Sequence, residues 1–482
     1  MQRNCAFFAV VVMTIVPGLL QAQTTFERYY GGPGRDEAAL ARPLAGGYVV
    51  CGRTMSFGAD SGDIWVIWTN LSGDTVRTRR YGIPGRAMRP SDIVSTGDGG
   101  FIVAGDARTL GQGDDARDIW LAKVTATGDT QWTRTFGGPL GDENPVVQPV
   151  GDGCIVLASY QTGLNSNHDF WLLMLDAGGG VVWEKKYGGA GTDVPKGITP
   201  TADGGFILTG YTCREGQPMG DVWLLKTDAA GDTQWTRKYG NDAAFDQGQA
   251  VTPTEDGGYL VCGTVSATTT MDWYVVKTNG SGDSLWTKTW GTALYDMGGS
   301  CIQVPGGGYV LCGFVNSNYT TTGDLCLLAL TTAGDSAWCR TYGGAAPEFG
   351  LAAARCPDGG FIIAGVTMSY GTAGDAYLVK TDASGGIGIA EPRARAATRG
   401  TALVAWPNPF RTTISLQAAM GGPAEVRIYD AMGRRVRAMP ANVGFVWDGR
   451  DESGRTLAAG AYRCVLVVRG RVVASRDLVL TP

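Results

Sequence analysis

The sequence predicts an all-β protein: a seven-bladed β-propeller built of four-stranded blades, followed by a small C-terminal β-sandwich. Three observations carry this. A unit of about fifty-two residues recurs seven times, a period that belongs to propellers and solenoids. Each unit holds turn residues at fixed phase between short alternating runs. The repeat also begins and ends in mid-unit, so its two ends are complementary.

The phase can be read at three anchors. The aromatic slot of the second strand falls at Tyr48, Phe101, Cys154, Phe206, Tyr259, Tyr309 and Phe361. The Asp that opens the third strand falls at Asp63, Asp118, Asp169, Asp221, Asp272, Asp324 and Asp375. The fourth strand ends at Tyr30, Tyr81, Phe136, Tyr187, Tyr239, Trp290 and Tyr342.

Within one unit the elements follow in order. Gln249–Thr254 alternates as a first strand. Asp256-Gly257-Gly258 makes a tight turn, because Gly tolerates positive φ and Asp bonds turn backbone. Tyr259–Val265 is the second strand, and a loop of variable length follows. The third strand opens at Asp272 and runs through Lys277. Gly282-Asp283 turns the chain into the fourth, Ser284–Trp290. Four strands per unit make one propeller blade.

The ends close the ring. Phe26–Gly31 is a fourth strand lacking its first three, and the repeats stop near Gly386 after a third strand lacking its fourth. Together they complete one blade and remove exposed edges. An open solenoid is the competing architecture, and it would need capping repeats that the sequence does not show.

The aromatic load follows the repeat. Trp65, Trp120, Trp171, Trp223 and Trp273 sit at or beside one slot of the third strand; Trp132, Trp183, Trp235, Trp286 and Trp338 share one of the fourth. Flat side chains repeated in this way fill the space between blades. Cys51, Cys262 and Cys312 occupy a small-residue slot before a Gly and read as core thiols. Cys301, Cys326, Cys339 and Cys356 lie closer together, and their pairing is left open by the sequence.

Composition bounds the rest. Arg3 precedes an apolar run from Cys5 to Leu20, with cleavage expected after Ala22, so residues 1–22 read as a secretory signal peptide. No other stretch is long and apolar enough to span a bilayer, so no membrane span is expected after signal removal. Residues 1–386 carry a net charge of −12, and residues 387–482 carry +7. An acidic body argues against nucleic acid as a partner, since phosphate binding needs a basic face. Residues 23–386 are assigned to the propeller, 387–401 to a linker and 402–482 to the second domain.

In the last eighty residues four motifs appear in order: Asn408-Pro409-Phe410; Val426-Arg427-Ile428-Tyr429-Asp430-Ala431-Met432-Gly433; Trp447-Asp448-Gly449-Arg450-Asp451-Glu452-Ser453-Gly454; and Leu457-Ala458-Ala459-Gly460-Ala461-Tyr462. This region resembles the C-terminal sorting domain of type IX secretion cargo, a family similar to the immunoglobulin-like domain of the flagellar hook-capping protein. The resemblance implies an immunoglobulin-like sandwich, the type IX secretion machinery as partner, and a secreted or outer-membrane-surface location reached through the periplasm. The tail departs from that pattern: Arg471 and Arg476 stand where lysines are usual.

Chemistry is thinly signalled. The single histidine, His168, lies before Asp169 in a variable loop, without the partners of a catalytic triad. No Cys-x-x-Cys pair or histidine cluster suggests zinc. Thr227–Trp235 is similar to repeats of pyrroloquinoline-quinone dehydrogenases, but the adjacent cysteines of those enzymes are missing; the segment supports a propeller only. The Asp opening each third strand suits either calcium or a loop-closing hydrogen bond, and its presence in all seven copies favours the bond.

One slot is more informative. An acid follows each aromatic-Gly anchor by six or seven residues: Asp36, Asp142, Asp193, Asp246, Asp296 and Glu348, with Arg86-Ala87 breaking the pattern in the second copy. These six are the candidate ligand-binding residues, expected to ring a channel mouth and draw calcium or a cationic group, or else to cap turns between blades. No catalytic residue and no cofactor other than calcium is assigned. The expected role is a non-enzymatic surface or secreted binding protein, with variable loops such as Arg108–Arg117 and Thr212–Gly220 recognising a glycan, peptide or envelope protein. The alternative is a hydrolase or lyase acting on polysaccharide at the channel mouth.

Overall fold

The computed structural model describes residues 24–387, apart from 59–61, 110–116, 164–166, 217–219, 241–243, 268–269, 319–321 and 372. It also describes 403–480, apart from 407–412, 419–423, 431–433, 441–444 and 469–470. The expected signal peptide, most of the expected linker, Asn408-Pro409-Phe410 and parts of the two named loops lie outside these residues. The chain divides into two compact units, Met1–Gly388 and Ile389–Pro482. Every regular element among the described residues is a strand.

The first unit is a β-propeller. Its described strands form seven antiparallel four-stranded sheets. In the first complete sheet the strands are β1′s neighbours in sequence: with β1 at Phe26–Tyr30, they are β2 (Asp36–Leu44), β3 (Gly47–Thr54), β4 (Asp63–Asn70) and β5 (Thr75–Tyr81). The third strands open at the expected Asp in three sheets, at Asp63, Asp324 and Asp375, and one or two residues before it in the other four, at Arg117, His168, Gly220 and Thr270. First strands are longer than the sequence suggested: the copy read as Gln249–Thr254 runs Phe245–Pro253.

Closure follows the split unit. β1 pairs with Asp375–Lys380, Phe26 opposite Lys380 and Tyr30 opposite Ala376, completing a sheet with Glu348–Arg355 and Phe361–Thr367. Each first strand packs against the next around the unit, and Glu348–Arg355 packs against β2.

A bulge in each first strand sets the geometry of the inner edge. It lies between Ala38 and Leu40 in β2, and between Pro195 and Gly197 in Asp193–Pro200. The bulged carbonyl presses on a glycine of the second strand. A Cβ on Gly210 would stand 2.0 Å from the Val194 carbonyl oxygen, and one on Gly52 would stand 1.9 Å from that of Glu37. Only Gly permits so close an approach.

At the outer edge, side chains latch each sheet to the next. The terminal Tyr hydroxyls donate to glycine carbonyls of the following hairpin: Tyr30 to Gly73 (2.6 Å), Tyr81 to Gly128 (2.8 Å), Tyr342 to Gly385 (2.7 Å). Two residues earlier a base reaches that hairpin's Asp, as in Lys185–Asp232 (2.8 Å) and Arg237–Asp283 (3.4 Å). A third device ties the first turn to the third strand: buried Lys226, Lys277 and Lys380 each meet Asp203, Asp256 and Asp358 at 2.8 Å. Between sheets, the periodic tryptophans join apolar clusters such as Phe170, Leu172, Phe206, Leu208 and Trp223.

The second unit holds two antiparallel sheets. One has Leu403–Trp406, Ile414–Ala418 and Phe445–Trp447; the other has Arg435–Pro440, Ala424–Asp430, Gly460–Val468 and Arg471–Leu480. Ile414, Val426, Trp447, Cys464, Leu466 and Leu478 form its core. Among the described residues no helix is long and apolar enough to cross a membrane.

Candidate functional site

The six candidate acids are buried: Asp36, Asp296 and Glu348 are fully enclosed, and Asp142, Asp193 and Asp246 nearly so. Five fold back on the turn that precedes them. The N–H of Gly32 donates to Asp36 Oδ2 at 2.7 Å, that of Gly138 to Asp142 at 2.6 Å, that of Gly189 to Asp193 at 2.9 Å and that of Gly344 to Glu348 at 2.9 Å; the Thr292 N–H bonds Asp296. Each carboxylate thus closes a turn between sheets. Of the two roles expected of these acids, a ring at a channel mouth or a turn cap between blades, these contacts fit the cap. Burial raises the pKa of Asp142, Asp193 and Glu348. Among the described residues, no cluster of three or more acids, histidines or cysteines is arranged to hold a metal.

The loop-closing bond had been expected of the Asp opening each third strand. In five sheets that Asp instead faces the next sheet's acid near a glycine. A Cβ on Gly188 would meet Asp169 Oδ1 at 2.1 Å and Asp193 Oδ2 at 2.9 Å. Asp169, Asp272 and Asp375 each keep a buried Oδ1 without a hydrogen-bond partner. Burial raises their pKa, and the neighbouring acid (Asp193, Asp296 and Asp36 in turn) adds to it. In the broken second copy, Arg86 takes Asp118 at 2.7 Å, and Arg80 takes Asp63 at 3.4 Å. His168, at the start of its third strand, is half-buried.

A charged cluster that the sequence did not announce lies where the sheets diverge. The residue after the second-strand glycine differs in every copy; in one it is Asp106, 1% exposed. Neither of its carboxylate oxygens has a hydrogen-bond partner. Arg117 stands 3.9 Å away and is itself held by Glu143 at 2.7 Å. Burial, with Glu143 adding repulsion, pushes the Asp106 pKa up to about 6, against the opposing pull of Arg117 and Arg89. Burial lowers the Lys196 amine, and Glu143 partly opposes it. Glu143 thus couples electrostatically to both Asp106 and Lys196.

A second feature sits where the two ends of the repeat meet. A cleft of about 620 Å³ opens between β1 and β5, lined by Tyr29, Tyr30, Phe57, Trp65, Arg79 and Arg80 among others. Tyr29 and Phe57 are 52% and 54% exposed, which is unusual for rings of this size beside a cavity. Phe57 has φ +55°, the left-handed region that a bulky side chain rarely adopts. Its ring lies 5.7 Å from Trp65, and Tyr29 stacks on Tyr370 at 5.7 Å and 15°. Arg79 and Arg80 are half-exposed, with long contacts from Arg79 to Thr78 and Asp129 and from Arg80 to Asp63. The signal was present in the repeat: Tyr29 is an aromatic ring in the slot that other copies fill with Arg80, Thr135, Lys186, Lys238, Thr289 and Thr341.

No protein-family profile matches the chain, and no curated protein matches it. Solved structures do. PorZ, described as an essential surface component of the type IX secretion system of Porphyromonas gingivalis, aligns over 92% of this chain and 51% of its own, at 11% identity and TM-score 0.31. The chain therefore spans about half of that protein. The β-propeller domain of the Trilobed protease from Pyrococcus furiosus aligns over 74% of this chain and 94% of its own, at 9% identity and TM-score 0.41. The polysaccharide lyase Uly1 aligns over 76% and 94%, at 13% identity and TM-score 0.45.

Proposed function

We propose that the chain is an exported binding protein: a closed seven-bladed propeller that recognises a saccharide, joined to an immunoglobulin-like domain that directs it through the type IX secretion machinery to the cell surface or beyond. The exposed aromatic cleft at the closing seam carries this reading. Tyr29 and Phe57 offer ring faces to the apolar side of a sugar, and the Arg79 and Arg80 guanidiniums suit a carboxylate on it. A rigid scaffold with a loop residue held at positive φ is preorganised for such contact. The test is binding of the full chain to a panel of neutral and uronate-bearing oligosaccharides, by calorimetry. Phe57→Ala should weaken binding of the acidic members by roughly tenfold or more without lowering the melting temperature. Equal binding by wild type and variant would overturn the role of the cleft. Deleting 402–482 should leave the chain in the periplasm; unchanged export would overturn the sorting role.

A second reading is favoured by one observation, the Asp106–Arg117–Glu143–Lys196 cluster. A raised carboxyl and a lowered amine are the groups that a polysaccharide hydrolase or lyase needs for proton transfer. Product release from the same panel, abolished in Asp106→Asn, would move the function to that cluster.

A further inference from the structure

Two slots that touch across the third and fourth strands hold different partners in different sheets. In one sheet they hold Trp171 and Glu184, the indole N–H donating to the carboxylate at 2.9 Å. In another they hold Cys326 and Cys339, whose sulfurs lie 3.3 Å apart. The register places Leu328 opposite Cys339, so the two thiols are diagonal neighbours across the strands. Cys326 is buried and Cys339 is exposed. The strand that carries Cys339, Ser336–Tyr342, is the last of its sheet and pairs on one side only. It is therefore the strand freest to move the additional distance, a little over 1 Å, from 3.3 Å to a bonded length of about 2.05 Å.

No other cysteine combines these properties. Among the described residues Cys51, Cys154, Cys262, Cys301, Cys312, Cys356 and Cys464 are buried, and Cys213 is half-buried. Cys301 lies against buried carbonyls, those of Leu260 (3.5 Å) and Ala250 (3.9 Å), where no reagent reaches it.

We propose that Cys339 and Cys326 form a redox-active dithiol, Cys339 attacking and Cys326 resolving, whose co-reactant is a low-molecular-weight disulfide. The Cys339 thiolate attacks one sulfur of the small disulfide; that S–S bond breaks, one small thiolate leaves and is protonated by water, and Cys339 holds a mixed disulfide. Cys326 then loses its proton to solvent, and its sulfur attacks the Cys339 sulfur. The mixed bond breaks and the second small thiol departs. Two protein thiols are oxidised and one disulfide is reduced to two thiols. The environment suits these roles: the Cys326 thiol donates to Cys339, and Arg340 helps, so the Cys339 pKa falls to about 7, whereas Cys326 is raised by the same bond and by burial. Cys339 is therefore substantially thiolate at neutral pH, and Cys326 is protected until the first step has occurred. Oxidation would tie an edge strand to its sheet.

The experiment uses the reduced full chain and oxidised glutathione, read by intact mass and peptide mapping. The expected result is an intramolecular link between the peptides holding Cys326 and Cys339, with no retained adduct. Cys326→Ala should stop at one glutathione on Cys339, and Cys339→Ser should show neither. Iodoacetamide should label Cys339 ~10-fold faster than any other cysteine, with a rate midpoint near pH 7 rather than the ordinary 8.5. A link joining other cysteines, or no link with all thiols intact, would overturn the proposal. Because mapping of the wild type decides the matter, failure of a variant to fold leaves the test standing.

Discussion

Six second strands carry a glycine beneath the first-strand bulge, and one carries Ala158. The six are Gly52, Gly105, Gly210, Gly263, Gly313 and Gly365, each with a carbonyl at 1.9–2.2 Å from where a Cβ would stand. Opposite Ala158 the irregularity runs from Glu143 to Val146, and Asn144 adopts φ +56° to accommodate it. An irregularity of the same span, from Phe349 to Ala352, lies opposite Gly365; in the Ala158 sheet Glu143 meets Arg117, and the Asn144 N–H faces Asp106. The comparison teaches that the glycine junctions are spent on closure, while the junction that departs from the rule gathers buried charge. The same holds at the seam, where Tyr29 replaces a polar residue, and in the sheet where Cys326 and Cys339 replace a tryptophan and a threonine or glutamate.

The hardest break of this comparison is Gly210→Ala. The clash is with backbone rather than with a pliable side chain, so the strand itself must shift. We expect a loss of roughly 4 kcal/mol by chemical denaturation, among the larger single-site effects. The reciprocal change, Ala158→Gly, relieves nothing and should cost only the chain entropy of glycine, about 1 kcal/mol or less. Equal costs at the two sites would show that the bulge does not depend on the missing side chain.

The next test concerns the divergent junction. Asp106 has a folded pKa of about 6 against an ordinary 3.8, so the native state binds its proton more tightly than the unfolded chain does. Stability from this group is greatest below pH 4 and is lost as pH rises towards 6. Two pKa units correspond to at most about 3 kcal/mol. Asp106→Asn should therefore be more stable than wild type at pH 7 and indistinguishable from it below pH 4. Parallel melting curves across that range would mean that Asp106 is solvated in the free protein.

Much of the fold was legible because repetition averages out local ambiguity. One copy of Asp-Gly-Gly before an aromatic residue is a turn; seven copies at fixed phase are an architecture, and the split unit at Phe26–Tyr30 supplied its closure. The candidate site was less legible. Sequence phase showed that the acids share a position, yet it did not reveal which way they point, and they point back into the turn at N–H groups four residues earlier. Turn capping was one of the two roles expected of them; the third-strand Asp, expected to close a loop, lies within reach of the same glycine. Asp106 was invisible because its ion-pair partner Arg117 sits on the neighbouring strand, and Glu143, which holds that arginine, comes from the next sheet. Tyr29 was visible as an exception to its slot, but only the structure showed the cleft beside it.

The mildest prediction tests a scaffold feature that nature has already varied. Lys226 occupies a slot filled by Lys123, Lys277 and Lys380 in other sheets, and by Met174 in the Ala158 sheet. Its ammonium meets Asp203 at 2.8 Å, and that bond comes first among the causes that hold the Asp203 pKa at about 2. The group contributes stability that is present above pH 4 and lost as pH falls towards 2, because the folded pKa is depressed. Asp203 is half-exposed, so solvent screens the pair and the contribution is discounted to about 1 kcal/mol. Lys226→Met keeps a stem of similar length, as Met174 shows the slot allows. It should lower stability by about 1 kcal/mol at pH 7 and by nothing at pH 2, read by denaturation at each pH. A loss that persists undiminished at pH 2 would assign the lysine's contribution to packing of its stem, and would make the Lys–Asp ring a matter of shape rather than charge.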